Sequence, residues 1–288
     1  MKLALGTVQF GIHYGVANSG GQVSETEAEA ILKQARLLGI DMLDTAIAYG
    51  KSEEILGKFA QNDQNIVTKL SAVPETERNV KNWIFGQFEG SLERLRVSRI
   101  YGLLLHRPDQ LLGPNGAAIY DALAELKARE SVQKIGVSIY SPDELEPLLE
   151  RYALDLVQAT LSILDRRILE TGWAGRLNKN GIELHTRSAF LQGLLLMPKD
   201  TRPAKFERWK TIWDEWERWL ADTGLSPLQA CLRFAVQQPL VDRVVIGVDS
   251  TAQLLEIVGA VDGIIKQMPR FEDFSDTRLI NPATWNQL

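Results

Sequence analysis

The feature that most constrains this chain is an alternation. Short apolar runs, each followed by a longer amphipathic stretch, recur eight times with no hairpin signal between them. The runs are Lys2–Gly6, Ile40–Leu43, Asn65–Leu70, Ile100–Leu105, Val132–Ser138, Asp155–Gln158, Gly181–Thr186 and Arg243–Ile246. Strand followed by helix, repeated, implies a parallel sheet. Eight such units are the number that closes a (β/α)8 TIM barrel. Runs such as Tyr101–Leu105 are apolar throughout, as strands buried on both faces should be. An open doubly wound sheet is the competing architecture, but no Gly-x-Gly-x-x-Gly follows the first strand.

Helix starts reinforce the reading. Ser24-Glu25-Thr26-Glu27 has the capping-box pattern, and Ser141-Pro142 and Ser226-Pro227 place Pro at a first helical position. Ser52 is expected to cap the helix Ser52–Phe59, and Ser250 the last one. One segment breaks the repeat. Pro198–Ala221 carries Trp209, Trp213, Trp216 and Trp219 at helical steps. It predicts an extra amphipathic helix whose stripe packs on the barrel, substrate-facing aromatics being the alternative. Residues 1–288 are expected to form one domain, with 263–288 an irregular tail.

The totals bound the function. A net charge of −5 argues against nucleic acid as the main partner. One cysteine, Cys231, excludes an internal disulfide and fits a reducing, cytoplasmic setting. No signal-peptide pattern and no apolar run of bilayer length are present, so no membrane partner is expected. Gly50-Lys51-Ser52 looks like the end of a phosphate loop, but the Gly required five positions earlier is Thr45.

Chemistry in a (β/α)8 barrel sits at the C-terminal ends of the strands. The second run delivers Asp44 there, with Tyr49 in the following loop; the third ends at Lys69 and the fourth at His106. Each residue has a plainer role available: turn former, packing ring, solvated amine, structural imidazole. Four titratable groups on one rim are harder to explain that way.

With Leu5-Gly6-Thr7, Asp44-Thr45-Ala46, Tyr49-Gly50, Thr68-Lys69, His106-Arg107-Pro108-Asp109, Gly136-Val137-Ser138, Gln158, Gln192-Gly193 and Ile246-Gly247, the pattern resembles the aldo-keto reductase family over about residues 3 to 262. The resemblance implies reduction of an aldehyde, ketone or sugar-like carbonyl by a nicotinamide cofactor. Tyr49 would be the general acid, Lys69 a cation lowering its pKa, Asp44 the partner of Lys69, and His106 a donor to the carbonyl oxygen.

For the cofactor the resemblance implies Gly6, Thr7, Ser138, Gln158, Arg187, Ser188, Gly193, Gly247, Ser250, Gln253 and Glu256. Ser138 and Gln158 match positions that hold the nicotinamide carboxamide. Arg187 stands where the family often has a stacking Tyr; it could stack on the nicotinamide or meet an anionic substrate. Family habit favours NADP(H). The Gly247–Gln253 loop, however, has no Lys or Arg, and Asp249 would repel a phosphate. The expectation is a slight lean to NADP(H), with NAD(H) the alternative.

Two other classes compete. One is a regulatory protein of this fold that binds cofactor without turnover. The other is a metal-dependent barrel hydrolase, for which His13, His106 and His185 supply few ligands, so no metal is expected. The expected partner is a small carbonyl substrate, and the expected state a monomer or weak oligomer.

Overall fold

The computed structural model describes residues 1–60, 63–269, 271 and 276–288. Eight parallel strands close into a barrel in sequence order: β1 (Leu3–Gly6), β2 (Met42–Asp44), β3 (Asn65–Leu70), β4 (Ile100–Leu105), β5 (Val132–Ser138), β6 (Leu156–Thr160), β7 (Glu183–Arg187) and β8 (Arg243–Gly247). β1 pairs with β2 on one side and β8 on the other. Among the described residues, no helix is long and apolar enough to cross a membrane.

The barrel's interior explains the site. A separate apolar cluster of Ala4, Met42, Val67, Leu104 and Leu156 forms a floor, with Tyr101 and Val245 packed against it. Side chains of a strand alternate between its two faces. Two residues beyond each floor residue the same inward face continues. Those positions are Gly6, Asp44, Lys69, His106 and Gln158. One layer of the barrel is therefore greasy, and the next is chemical. Gly6 pairs with Asp44, whereas Asp44 pairs with Val67 and Lys69 with Leu104, the stagger that the tilted strands of a closed barrel require.

Several sequence expectations shift in detail. β6 runs on to Thr160, where Ala159 and Thr160 pair with Thr186 and Arg187 of β7, and the buried Thr160 hydroxyl donates to Asp165 Oδ2 at 2.7 Å. The stretch after it is two short helices, Arg167–Glu170 and Trp173–Lys179, rather than one. Ser141 does form its capping box, on a 3-10 turn that leads into Leu145–Leu149. Ser52 is not the cap of its helix; Lys51 holds that position. The Ser52 hydroxyl is instead fully buried, donating to the Thr7 carbonyl at 2.8 Å and bonding the Thr7 and Thr45 hydroxyls.

The Trp-bearing insert folds as a helix, Lys210–Thr223, with Trp213, Trp216 and Trp219 buried. Packing is its role. Trp209 Nε1 donates to Asp276 Oδ2 at 3.0 Å, and Trp219 Nε1 to the Gln267 carbonyl at 3.0 Å. Phe206 meets Trp285 edge-on at 4.8 Å. Insert and tail thus fasten each other. The tail is more ordered than its sequence suggests, with a helix at Thr277–Ile280 and a 3-10 stretch at Pro282–Gln287.

Candidate active site

Asp44 is the centre of the chemical layer. Lys69 Nζ donates to Asp44 Oδ1 at 2.7 Å and to the Thr45 carbonyl at 2.9 Å. Gln158 Nε2 donates to Asp44 Oδ2 at 2.6 Å. Ser138 Oγ in turn donates to Gln158 Oε1 at 3.3 Å. Each carboxylate oxygen thus has a buried donor. The Lys69 and Asp44 side chains are 1% and 7% exposed, so the pair is a desolvated one. Burial pushes the Lys69 amine down from its ordinary pKa, and Asp44 opposes that push.

Tyr49 stands over this pair. The Lys69 ammonium lies 5.3 Å from the centre of the Tyr49 ring, and the His106 ring meets Tyr49 edge-on at 5.8 Å. The loop is held by a backbone approach that only glycine permits: a Cβ on Gly11 would sit 1.5 Å from the Tyr49 carbonyl oxygen. The Tyr49 phenol moves opposite to the sequence expectation. Burial, then the charge of Asp44, raise its pKa, while Arg187 opposes them. Tyr49 is therefore fully protonated at neutral pH. His106 is pushed down to about 4 by burial and by the charges of Lys69 and Arg187. It is a neutral imidazole at neutral pH, able to donate one hydrogen bond.

Asp44 and Tyr49 line a cavity of about 830 Å³ together with Arg187, whereas Lys69 and His106 are not among its lining residues. The Gln9–Ser19 loop supplies part of that wall, through Gln9, Tyr14 and Asn18, whereas Phe10 is fully buried in the core. The cavity is of the size that takes an extended small molecule. Of the residues expected to hold the cofactor, Gly6, Thr7, Ser188, Gly193, Gly247, Gln253 and Glu256 line it with Arg187. Ser138, Gln158 and Ser250 do not; Gln158 donates to Asp44 and Ser138 to Gln158, and the Ser250 hydroxyl caps the helix Thr251–Ala260 by accepting from the Gln253 amide at 3.2 Å. Gln9 Oε1 is buried on the wall with no hydrogen-bond partner among the described residues. An acceptor left open in this way suits a hydroxyl-rich guest such as a dinucleotide's ribose. Cavity and donor set fit a nicotinamide dinucleotide.

Two contributors escape sequence reasoning. Glu27 reads as the return half of a capping box, and that half does not form. Ser24 accepts from the Glu27 amide at 3.2 Å, but the Glu27 carboxylate crosses to accept from the Thr251 amide at 2.6 Å, at the start of the helix Thr251–Ala260. Tyr140 is the other. Its ring lies 4.3 Å from the Arg187 guanidinium, which also donates to the Ile139 carbonyl at 3.0 Å. No periodicity links either pair, and only the closed barrel brings them together. Asp249 was visible in the sequence; it accepts from Asn18 Nδ2 at 3.1 Å, and burial raises its pKa.

The closed eight-stranded parallel barrel, with Asp44, Lys69, Tyr49 and His106 gathered beside a cavity of about 830 Å³, is matched by known proteins. The aldo/keto reductase family model matches residues 2–272, and this chain belongs to that oxidoreductase family. A D-threo-aldose 1-dehydrogenase from Pseudomonas sp. is 29% identical over 284 residues, covering 84% of this chain and 86% of that protein. An NADH-specific methylglyoxal reductase from Escherichia coli K12 is 29% identical over 217 residues, covering 67% of this chain and 65% of that protein. Among solved structures, the holo form of an aldo-keto reductase from Bacillus halodurans superimposes with a TM-score of 0.71 at 23% identity, covering 92% of this chain and 88% of that one.

Proposed function

We propose that the protein reduces an aldehyde, ketone or sugar-like carbonyl to an alcohol with a nicotinamide cofactor, Tyr49 serving as general acid. The observation that carries this is the cluster of a protonated Tyr49 on the cavity wall, a neutral His106 edge-on to its ring, and the buried Lys69–Asp44 pair. The bound nicotinamide supplies the hydride. Every other duty falls to the chain. Ser188, Gly193, Gly247 and Gln253 line the slot that would hold the cofactor. His106 donates to the carbonyl oxygen, aligning it and stabilising the charge that develops there. Tyr49 gives that oxygen its proton. Its raised pKa keeps the proton in place until the oxygen becomes basic. The departing proton leaves a phenolate beside the Lys69 ammonium, an attraction that assists the transfer.

For the cofactor, family habit toward NADP(H) is outweighed by carboxylates at the far end of the cavity, and the reading favours NADH. Asp249 and Glu256 line that end, and Glu27 takes the Thr251 amide that an anion could otherwise use. Among the described residues, Arg187 is the sole Lys or Arg on the wall, and it lies with the catalytic cluster.

The test is a Tyr49→Phe variant with NADH and a panel of neutral aldehydes and ketones. Turnover is expected to vanish while NADH binding, followed by nicotinamide fluorescence, persists. A Phe variant turning over at a near wild-type rate would refute the assignment.

A further inference from the structure

Arg187 is the unusual group of the cavity. Its guanidinium is a cation that offers five N–H donors in a planar fork. Among the described residues no carboxylate lies within ion-pair distance of it, unlike the buried Lys69, which has Asp44, or Arg167, which has Asp165. Its partners are neutral: the Ile139 carbonyl at 3.0 Å, the Ser188 hydroxyl at 3.5 Å, and the face of Tyr140 at 4.3 Å. These fix the plane of the fork and leave part of its five N–H donors uncommitted. It is close enough to the reacting centre for its charge to bear on both Tyr49 and His106. A positioned, uncompensated cation partly removed from water is costly unless an anion completes it.

From this we propose that Arg187 anchors an anionic group of the substrate, so that the preferred substrates are aldehydes or ketones bearing a carboxylate or phosphate a few bonds from the carbonyl. The proposal rests on the reductase reading of the same site. The fork offers two parallel N–H bonds to such a group, holding the carbonyl under Tyr49 and His106. Tyr140 acts as a positioning residue, keeping the guanidinium flat against its ring. The cofactor's own pyrophosphate is the rival occupant, and the experiment separates the two.

The measurement compares kcat/KM for 4-oxobutanoate and for its methyl ester, in the full-length protein saturated with NADH. The pair differs in little but the charge. The wild type is expected to favour the acid by roughly 10- to 100-fold, the scale of a charge-assisted contact. Arg187→Gln is expected to bring that ratio close to one, and Arg187→Lys to keep part of it. A ratio near one in the wild type, or a ratio unchanged in Arg187→Gln, overturns the proposal; a fall in NADH affinity alongside it assigns Arg187 to the cofactor. If neither aldehyde nor any neutral carbonyl is turned over, the reductase reading fails. Calorimetric titration with 4-hydroxybutanoate then still decides the anchor: binding lost in Arg187→Gln supports it, and no binding to the wild type overturns it.

Discussion

Asp44→Asn changes a single charge in the most constrained part of the molecule. The hydrogen-bond pattern can survive the change. The oxygen of the substituted amide can accept from Lys69 as Asp44 Oδ1 does now. Its nitrogen would confront Gln158 Nε2, donor to donor, but the Gln158 amide can flip to present Oε1. Ser138 Oγ, which now donates to Oε1 at 3.3 Å, can rotate to accept. What cannot be restored is the charge. Lys69 is 1% exposed, with Asp44 the carboxylate at its ammonium. Two unit charges about 4 Å apart at an effective permittivity of about 20 attract by about 4 kcal/mol. Breaking a buried pair from one side costs about 3–5 kcal/mol, and the two figures agree. At about 2–3 °C per kcal/mol for a chain of this size, Tm should fall by roughly 8–12 °C.

The loss should also carry a pH signature. Without Asp44, burial pushes the Lys69 amine further down. Between that lowered value and about 10.4 the unfolded chain binds more protons than the folded one, so stability rises with pH there. The deficit of Asp44→Asn against wild type should therefore shrink as pH climbs from about 7 toward about 10. Chemical denaturation at several pH values, with Tm by circular dichroism, measures both effects. A loss below about 1 kcal/mol, or a deficit independent of pH, would refute the reasoning.

Two further predictions concern other parts of the barrel. Glu183, near the base, accepts from the Tyr101 hydroxyl at 2.7 Å and pairs with Lys134 at 2.8 Å; burial pushes its carboxyl up, but contacts from His185, Lys134 and Tyr101 prevail and hold it at about 2. A carboxylate whose pKa drops on folding stabilises above its unfolded value and loses that contribution as pH falls toward about 2. Glu183→Gln should cost about 2 kcal/mol at neutral pH, after discounting for partial exposure, and flatten the acid limb between about pH 4.5 and 2. Acid titration of the two proteins by circular dichroism checks this. Glu27→Gln removes a carboxylate from the Thr251 amide and should tighten NADPH relative to NADH by roughly two- to fivefold, read from nicotinamide fluorescence titrations.

The sequence made the barrel legible because its signals are local and redundant. Buried parallel strands read as apolar runs, and Ser141 and Ser226 mark helix starts that both form capping boxes. Asp44, Lys69 and His106 were legible because strand ends are fixed by the same runs. Contacts between distant segments were not. Glu27 reaches Thr251 across 224 residues, and Arg187 finds Tyr140 only because β5 and β7 sit near each other in the closed ring. Ser52 misled for a related reason: a hydroxyl three residues past Tyr49 looks like a cap until Thr7 arrives from the first strand to claim it.

The greasy floor of Ala4, Met42, Val67, Leu104 and Leu156 has a consequence for proton traffic. It seals the chemical layer from below, between Tyr49 and the Glu183 cluster at the base. If Tyr49 is the acid of the proposed reaction, its proton is replenished from the mouth, along the route by which the alcohol would depart. Exit and recharging would then share one doorway.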